Sequence, residues 1–404
     1  MKNNKRKKRI IFYFAMEPQV YQYKFAKALR ERGYETILFT ISEKYKINYD
    51  FYNQAFDKIY CSDFEFRGEN IKNIKYLLKK GPKLLYFLIK SKLIKPDVVI
   101  GLSGINWQVK FARKYFYKKI PFIFFTHDMR SHFFESKKSA LKQNLEFEIE
   151  AEKYNFENAD GIIHKGAPEG LEAIQGRIFN KVKLPKLQLS FEPYCSKEFQ
   201  VPINKDKLSK KDKELHLVYV GFFWTNQGEA GSHFFNKLLD QKIHLHLYIT
   251  GIGDDLSKEE KLDYLNDFFP GCKENKYFHI HPTLPPKDLI PEISKYDFGL
   301  FPLIPLSKEN IEPKFCASNK IASYLEAGLP LITPEELIFL NKTLKSYGLD
   351  IIYNDKNIMG LNKRLKKLDY EDLINKLKKM REEYSIEKNI NKLQEFIEEV
   401  IKNK

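Results

Sequence analysis

The sequence predicts an α/β protein made of two doubly wound domains, and three observations carry that prediction. The chain has 404 residues, room for at least two domains at roughly 100 to 200 residues each. Short apolar runs alternate with amphipathic segments along most of it, the pattern of βα units on mainly parallel strands. Near the middle, a polar stretch marked by proline interrupts the alternation and reads as a linker.

In chain order, Ile11 to Met16 forms a buried strand, Val20 to Arg32 a helix stopped by Gly33, and ETILFTI a second strand. DVVIGLSG supplies a strand near Val98 to Ile100, PFIFFTHD one over Phe122 to Thr126, and GIIHKG one at Ile162. These elements define a first domain over 1–198. The text then becomes EPYCSKEFQVPINKDKLSKKDKE, with the linker at 199–214. A second series follows in 215–385, with strands at Leu217 to Val220, Leu245 to Thr250, Phe278 to Ile280, Phe298 to Leu300 and Leu329 to Ile332. From Tyr370 onward, helical spacing and dense Lys/Glu pairs predict a terminal helix pair, the last part (about 386–404) packing back on the first domain. Two such domains facing each other create a cleft at the carboxyl ends of their strands, where open α/β sheets take ligands.

Charge separates the halves. The net +16 arises in residues 1–200, which hold 38 basic and 22 acidic residues; the remainder holds 31 of each. A 43% hydrophobic content excludes a disordered chain. The four cysteines, Cys61, Cys195, Cys272 and Cys316, form no CxxC pair, which fits a reducing cytoplasm. The start MKNNKRKKR is read as a basic tail feeding the first strand, because the apolar stretch behind it is short and breaks at Glu17. No apolar run approaches the ~20 residues of a membrane span, so any membrane contact is expected at the inner surface. Glu69 to Pro96, with eight lysines and one acid, reads as two basic amphipathic helices broken at Gly81 and Pro82. They are either ordinary helices with solvated lysines or a surface that docks on anionic lipid.

The chemistry concentrates in Asp297 to Thr333. Here a strand ends at Pro302, Ser318 stands at the N-cap position, and Asn319 to Ala327 forms a helix that Gly328 ends. The first-turn amides and Lys320 suit a diphosphate. Glu326, eight residues beyond Ser318, is placed to accept hydrogen bonds from ribose hydroxyls. Taken alone, the segment is equally an amphipathic helix with a solvated lysine and a capped start.

Asn319, Lys320, Tyr324, Leu325, Glu326, Ala327, Gly328 and Pro330 together resemble the donor-site signature of the group 1 nucleotide-sugar glycosyltransferases of the GT-B fold. LHLVYVG, LYITGIGD and ISKYDFGLFP resemble further strands of that family's donor domain, and EPYCSKEF its entry to the linker. The resemblance implies a metal-independent enzyme without a cofactor that moves a sugar from a nucleotide diphosphate, with retention, to a glycan or lipid-linked acceptor. It also implies donor contacts at Gly221, Gly251, Ser318, Asn319, Lys320 and Glu326. Two departures stand out: the family has a Glu where Ser318 lies, and many members have a base after the first donor strand, where this chain reads FFWTNQGEAG. Thr225 and Asn226 are then the hydrogen-bond donors expected to assist Lys320.

In the first half, His127 and Asp128 follow a strand directly. His127 is either catalytic, hydrogen-bonding the sugar or assisting removal of the acceptor proton with Asp128 as its orienting partner, or a histidine that caps the strand end. Gly101, Ser103 and Gly104 form a turn assigned to the acceptor side; Ile105 breaks the GxSxG pattern of a hydrolase elbow. The chain has no Asp-x-Asp for a divalent ion on the diphosphate. The pairs His244 with His246 and His279 with His281 each face one side of a strand and imply no third ligand. His281 is a candidate neighbour of the nucleotide base. Alternatives from other classes are a nucleotide-sugar epimerase of the same fold, a nucleic-acid binder suggested only by charge, and a solute-binding protein. The aromatics follow core periodicity and no nucleic-acid module appears, so no nucleic-acid partner is expected.

Overall fold

A computed structural model describes residues 7–14, 19–41, 49–62, 74–102, 106–143, 145–175, 177–179, 181–222, 228–250, 257–267, 270–302 and 310–404. The chain divides into two compact units. The first comprises residues 1–192 and 389–404 with a short segment ending at Glu312; the second comprises 193–307 and 313–388.

The first unit is a seven-stranded sheet. Its strands are β1 (Arg9–Phe14), β2 (Glu35–Ile41), β3 (Lys58–Ser62), β4 (Val98–Leu102), β5 (Phe122–Thr126), β6 (Gly161–His164) and β7 (Gln188–Ser190). They lie in the order β3-β2-β1-β4-β5-β6-β7, each paired in parallel with its neighbours. The central strands read as unbroken apolar runs because helices cover both faces: Ile10 to Phe12, Val98 to Ile100 and Phe122 to Phe125 are fully buried. Its principal helices are α1 (Val20–Glu31), α2 (Ile74–Leu93), α3 (Asn106–Tyr115) and α4 (Glu146–Asn158).

Two expectations change here. Glu69 to Pro96 does not form two helices broken at Gly81 and Pro82; α2 runs through Pro82 without a break. Phe87, Leu88 and Ser91 are buried and anchor one face, which compensates for the hydrogen bond that proline removes. Gly101 lies inside β4 rather than in the turn after it. A Cβ there would sit 2.5 Å from Phe122 Cζ and 2.9 Å from Val109 Cγ1, so its glycine serves packing.

Residues 389–404 belong to this unit. Phe396 and Val400 pack on Gly161 so closely that a Cβ at Gly161 would lie 2.8 and 2.7 Å from them. Glu398 is bonded by Lys8 and Tyr34, and Lys404 pairs with Asp160 at 2.9 Å.

The second unit has six strands, β8 (Leu215–Phe222), β9 (Ile243–Thr250), β10 (Phe278–His281), β11 (Phe298–Leu300), β12 (Leu331–Pro334) and β13 (Ile351–Tyr353). They pair in parallel in the order β10-β9-β8-β11-β12-β13. Helix α5 (Lys320–Ala327) joins β11 to β12, and α6 (Tyr370–Glu383) and the start of α7 (Ile386–Lys402) follow. In each sheet the strand order reverses beside its first strand, between β1 and β4 and between β8 and β11. Such a reversal opens a crevice at the carboxyl ends of the strands.

Candidate functional site

In the second unit the site is built on α5. Gly328 ends this helix in the left-handed region (φ 69°, ψ 39°), a conformation that suits glycine. Tyr324 fixes its position: the buried hydroxyl lies 2.9 Å from Leu300 O, 3.1 Å from Val218 O and accepts from Val220 N at 3.2 Å. One phenol thus ties α5 to β8 and β11, the two strands at the reversal. The ring rests on Gly299, where a Cβ would come within 2.4 to 2.6 Å of it.

This anchoring sets Lys320, the first residue of α5, over the carboxyl end of β8. Its Nζ lies 5.3 Å from the centre of the Tyr219 ring. Gly221 has φ +116°, and a Cβ there would meet Lys320 Cε at 3.1 Å. The backbone angle therefore calls for glycine, and a Cβ would in addition press on the lysine stem. The result is a cation and the first-turn amides of an eight-residue helix gathered at one reversal point, an arrangement suited to an anionic group.

Other expected donor residues are placed differently. Asn319, not Ser318, occupies the N-cap, and no side chain caps it; Ser318 Oγ is 3.5 Å from Lys320 N, the outer limit of a hydrogen bond. Glu326 is buried, and its Oε1 accepts from Ser196 N at 2.7 Å. Its backbone oxygen takes Val201 N at 3.1 Å and Arg381 Nη2 at 3.2 Å. The carboxylate expected at a ribose thus binds the strap at 196–201, because it sits one turn deeper than the half-buried face of Asn319, Lys320 and Ser323. His281 ends β10, two strands from β8, or about 10 Å across the sheet. Thr225, Asn226, Gly251, Ser103 and Gly104 lie outside the described residues.

In the first unit, His127 and Asp128 leave the carboxyl end of β5. Gln22 Nε2 donates to Tyr21 Oη at 2.8 Å, and Tyr21 Oη lies 2.6 Å from His127 Nδ1, with the two rings stacked. Assigned from these partners, His127 accepts at Nδ1 and turns Nε2–H toward Asp128 at 3.5 Å. Burial pushes its pKa down to about 4 against the opposing pull of Asp128, so the imidazole is neutral. Asp128 Oδ1 pairs with Lys165 at 2.7 Å; His127 and Lys165 hold its carboxyl well below the usual range, against the effect of burial. Helix α4 supports these loops from beneath. Glu152, pushed up to about 7 by burial, accepts from Arg130 N at 2.7 Å and Ser131 N at 2.9 Å, and Glu148 accepts from Asn106 N at 2.7 Å.

No family model and no curated protein matches this sequence. Solved structures match it over nearly its whole length. The sucrose-phosphate synthase of Thermosynechococcus elongatus is 11% identical with a TM-score of 0.67, covering 98% of this chain and 100% of that one. Anabaena HepE in complex with UDP-glucose is 11% identical at 0.63, with 98% and 100% covered. MnaA of S. aureus with UDP is 12% identical at 0.60, with 98% and 97% covered. The chain has the GT-B fold.

Within this GT-B chain, Tyr21, Lys165, Glu152 and Gly299 are the supporting residues that sequence reasoning missed. Lys165 had a usable signal, since it follows a buried strand as His127 does. The others are visible only once distant segments meet. The same holds for His216, which β8 brings beside the two histidine pairs: it is in register with His244, and His246 and His281 are in register with His279 and Tyr248.

Proposed function

We propose that this protein is a glycosyltransferase that takes a sugar from a nucleotide diphosphate donor and passes it to a glycan or lipid-linked acceptor. The observation that carries the reading is Lys320 held over Gly221 at the strand reversal of the second unit. The fold is shared with UDP- and UDP-glucose-bound structures, and positive charge at this point supports the reading because it would stabilise the negative charge that develops on a diphosphate leaving group. Lys320 and the helix amides supply that charge, so the reaction proceeds without a divalent ion on the diphosphate and, as in the resembled family, with retention. Glu326 acts as a brace for the strap rather than as a ribose ligand.

On the first unit, His127 is a poor proton acceptor, because its Nδ1 lone pair is taken by Tyr21 and its pKa is low. We assign it and Asp128 to holding the acceptor hydroxyl by hydrogen bonds. The membrane side of the reading rests on α2. Leu78, Leu85, Ile89 and Leu93, seven, four and four residues apart, are exposed, together with Tyr86. Lys75, Lys79 and Lys92 are exposed on the same helix. An outward apolar stripe with lysines matches an anionic lipid surface. No helix among the described residues is long and apolar enough to cross a membrane.

The test is a thermal-shift panel of UDP-, GDP-, ADP- and CMP-sugars with chelator present, since a ligand selective for the folded state raises stability by mass action. A selective upward shift that Lys320→Met abolishes is expected; no shift from any donor overturns the reading. Donor turnover without acceptor would turn it toward a nucleotide-sugar epimerase.

A further inference from the structure

At the amino end of β8 and β9, opposite the end that carries Lys320, two imidazoles and two carboxylates converge. His216 and His244 are cross-strand neighbours with rings stacked 4.3 Å apart. His216 Nε2 lies 2.9 Å from Asp212 Oδ2, and His244 Nε2 lies 2.7 Å from Glu214 Oε2 and 3.9 Å from Asp212 Oδ2. A four-coordinate zinc ion with ligands at 2.0 to 2.2 Å needs neighbouring ligand atoms about 3.3 Å apart. The His216–Asp212 and His244–Glu214 separations lie just below that value and His244–Asp212 above it; the ligand atoms of Asp212, Glu214 and His244 fall within 4.8 Å of one another, and His216 joins them through Asp212.

We propose that Asp212, Glu214, His216 and His244 form a binding site for a divalent zinc-like cation. The surroundings are those of a supported metal site. The histidines are held by the sheet, with side chains only 5% and 14% exposed, while the carboxylates are 41% and 31% exposed and leave an entry path. Behind the histidines, His216 Nδ1 lies 2.9 Å from His246 Nε2, and His244 Nδ1 lies 2.8 Å from His279 Nε2. Metal-bound imidazoles use such partners to fix their orientation. The outer carboxylate oxygens are held as well: Asp212 Oδ1 accepts from Glu214 N at 2.9 Å and Glu214 Oε1 from Tyr277 Oη at 3.3 Å.

Without the ion, one ordered arrangement satisfies the row: each histidine carries its proton on Nε2, so that His281 donates to His246, His246 to His216 and His216 to Asp212. His279 donates to His244, and His244 to Glu214. A cation bound at Nε2 of His216 and His244 inverts this order, placing their protons on Nδ1, with His246 and His279 accepting at Nε2. The ion stitches the segment at Asp212 to the sheet, far from the donor end, so its role is to stabilise the unit.

The experiment is titration of chelator-treated full-length protein with ZnCl2 by calorimetry, with imidazole nitrogen shifts followed by NMR. One equivalent is expected to bind, with His216 and His244 changing from the Nε2–H to the Nδ1–H form. Asp212→Asn with Glu214→Gln should weaken binding at least tenfold while the thermal melt of the zinc-free protein stays cooperative. As an independent readout, Co2+ added to the unsubstituted protein should give the intense visible bands of a four-coordinate ion. Binding unchanged in the double variant, no saturable binding, or only the weak six-coordinate cobalt spectrum overturns the assignment.

Discussion

The carboxyl edges of the two sheets sit at equivalent places in the fold yet are made in opposite ways. At the second, one contiguous segment supplies both the scaffold and the charge: Tyr324 fixes α5, and Lys320 lies one turn earlier over Gly221. At the first, the charge belongs to a network drawn from α1, the ends of β5 and β6, and α4, namely Tyr21, His127, Asp128, Lys165 and Glu152. A local motif can be lost through one residue, whereas a network deforms gradually and couples its members. The first edge should therefore respond to pH and to remote substitutions, and the second to a few positions only.

The strongest way to break this contrast is Lys320→Met. Loss of one charge-assisted interaction of about 1.5 to 3 kcal/mol should weaken nucleotide-sugar binding by about tenfold to a hundredfold, read by calorimetry. Gly299→Ala forces a methyl into the Tyr324 ring and should destabilise the protein by about 1 to 3 kcal/mol in urea unfolding. If that change is neutral, Tyr324 is not the pin described here. At the first edge, Tyr21→Phe strips a hydrogen bond from His127 and Gln22, at about 1 to 2 kcal/mol of stability. It should alter acceptor kinetics and leave donor affinity intact; a donor effect would merge the two edges into one.

The pH response tests the network as a whole. His127, His132 and His164 are each pushed down to about 4, chiefly by burial. Because they stay neutral when folded while the unfolded chain protonates them below about 6.5, stability falls as the pH drops from 6.5 toward 4. Glu152, raised to about 7, opposes this by gaining its proton earlier in the folded state. From pH 7 to 6 these four groups alone should give a net loss of about 1 kcal/mol, to which His246 and His216, also pushed down chiefly by burial, add; denaturant midpoints measure it. The smallest effect is expected from Glu326→Gln, which keeps an acceptor for Ser196 N–H. Stability should change by less than about 1 kcal/mol, with nucleotide affinity unchanged. A tenfold affinity loss would return Glu326 to the ribose.

The architecture was legible in the sequence because buried parallel strands carry near-continuous apolar runs, as Phe122 to Phe125 and Leu217 to Val220 show. The Lys320 segment was legible because its charge and its glycine stop lie within a dozen residues, although the cap fell on Asn319 rather than Ser318. The burial of Glu326 and its bond to Ser196 N were not legible for a physical reason: counting along a helix gives the face but not the depth, and the strap that covers it belongs to a segment more than a hundred residues earlier. Tyr21 and Glu152 carried no local signal at all. Alternation put His244 and His246 on one face, and only pairing with β8 added His216. The unbroken helix through Pro82 shows the converse, since tertiary anchoring at Phe87 and Leu88 overrides a local breaker.

The packing of Phe396 and Val400 on Gly161 bears on how the chain is made. Synthesis runs from the amino end, and domains generally fold as they emerge, but here the first unit lacks part of its surface until residues 389–404 have been made. The second unit, though synthesised later, needs nothing beyond Lys388. A stop codon placed just before Asn389 should therefore injure the earlier-made unit, exposing the apolar ground around Gly161.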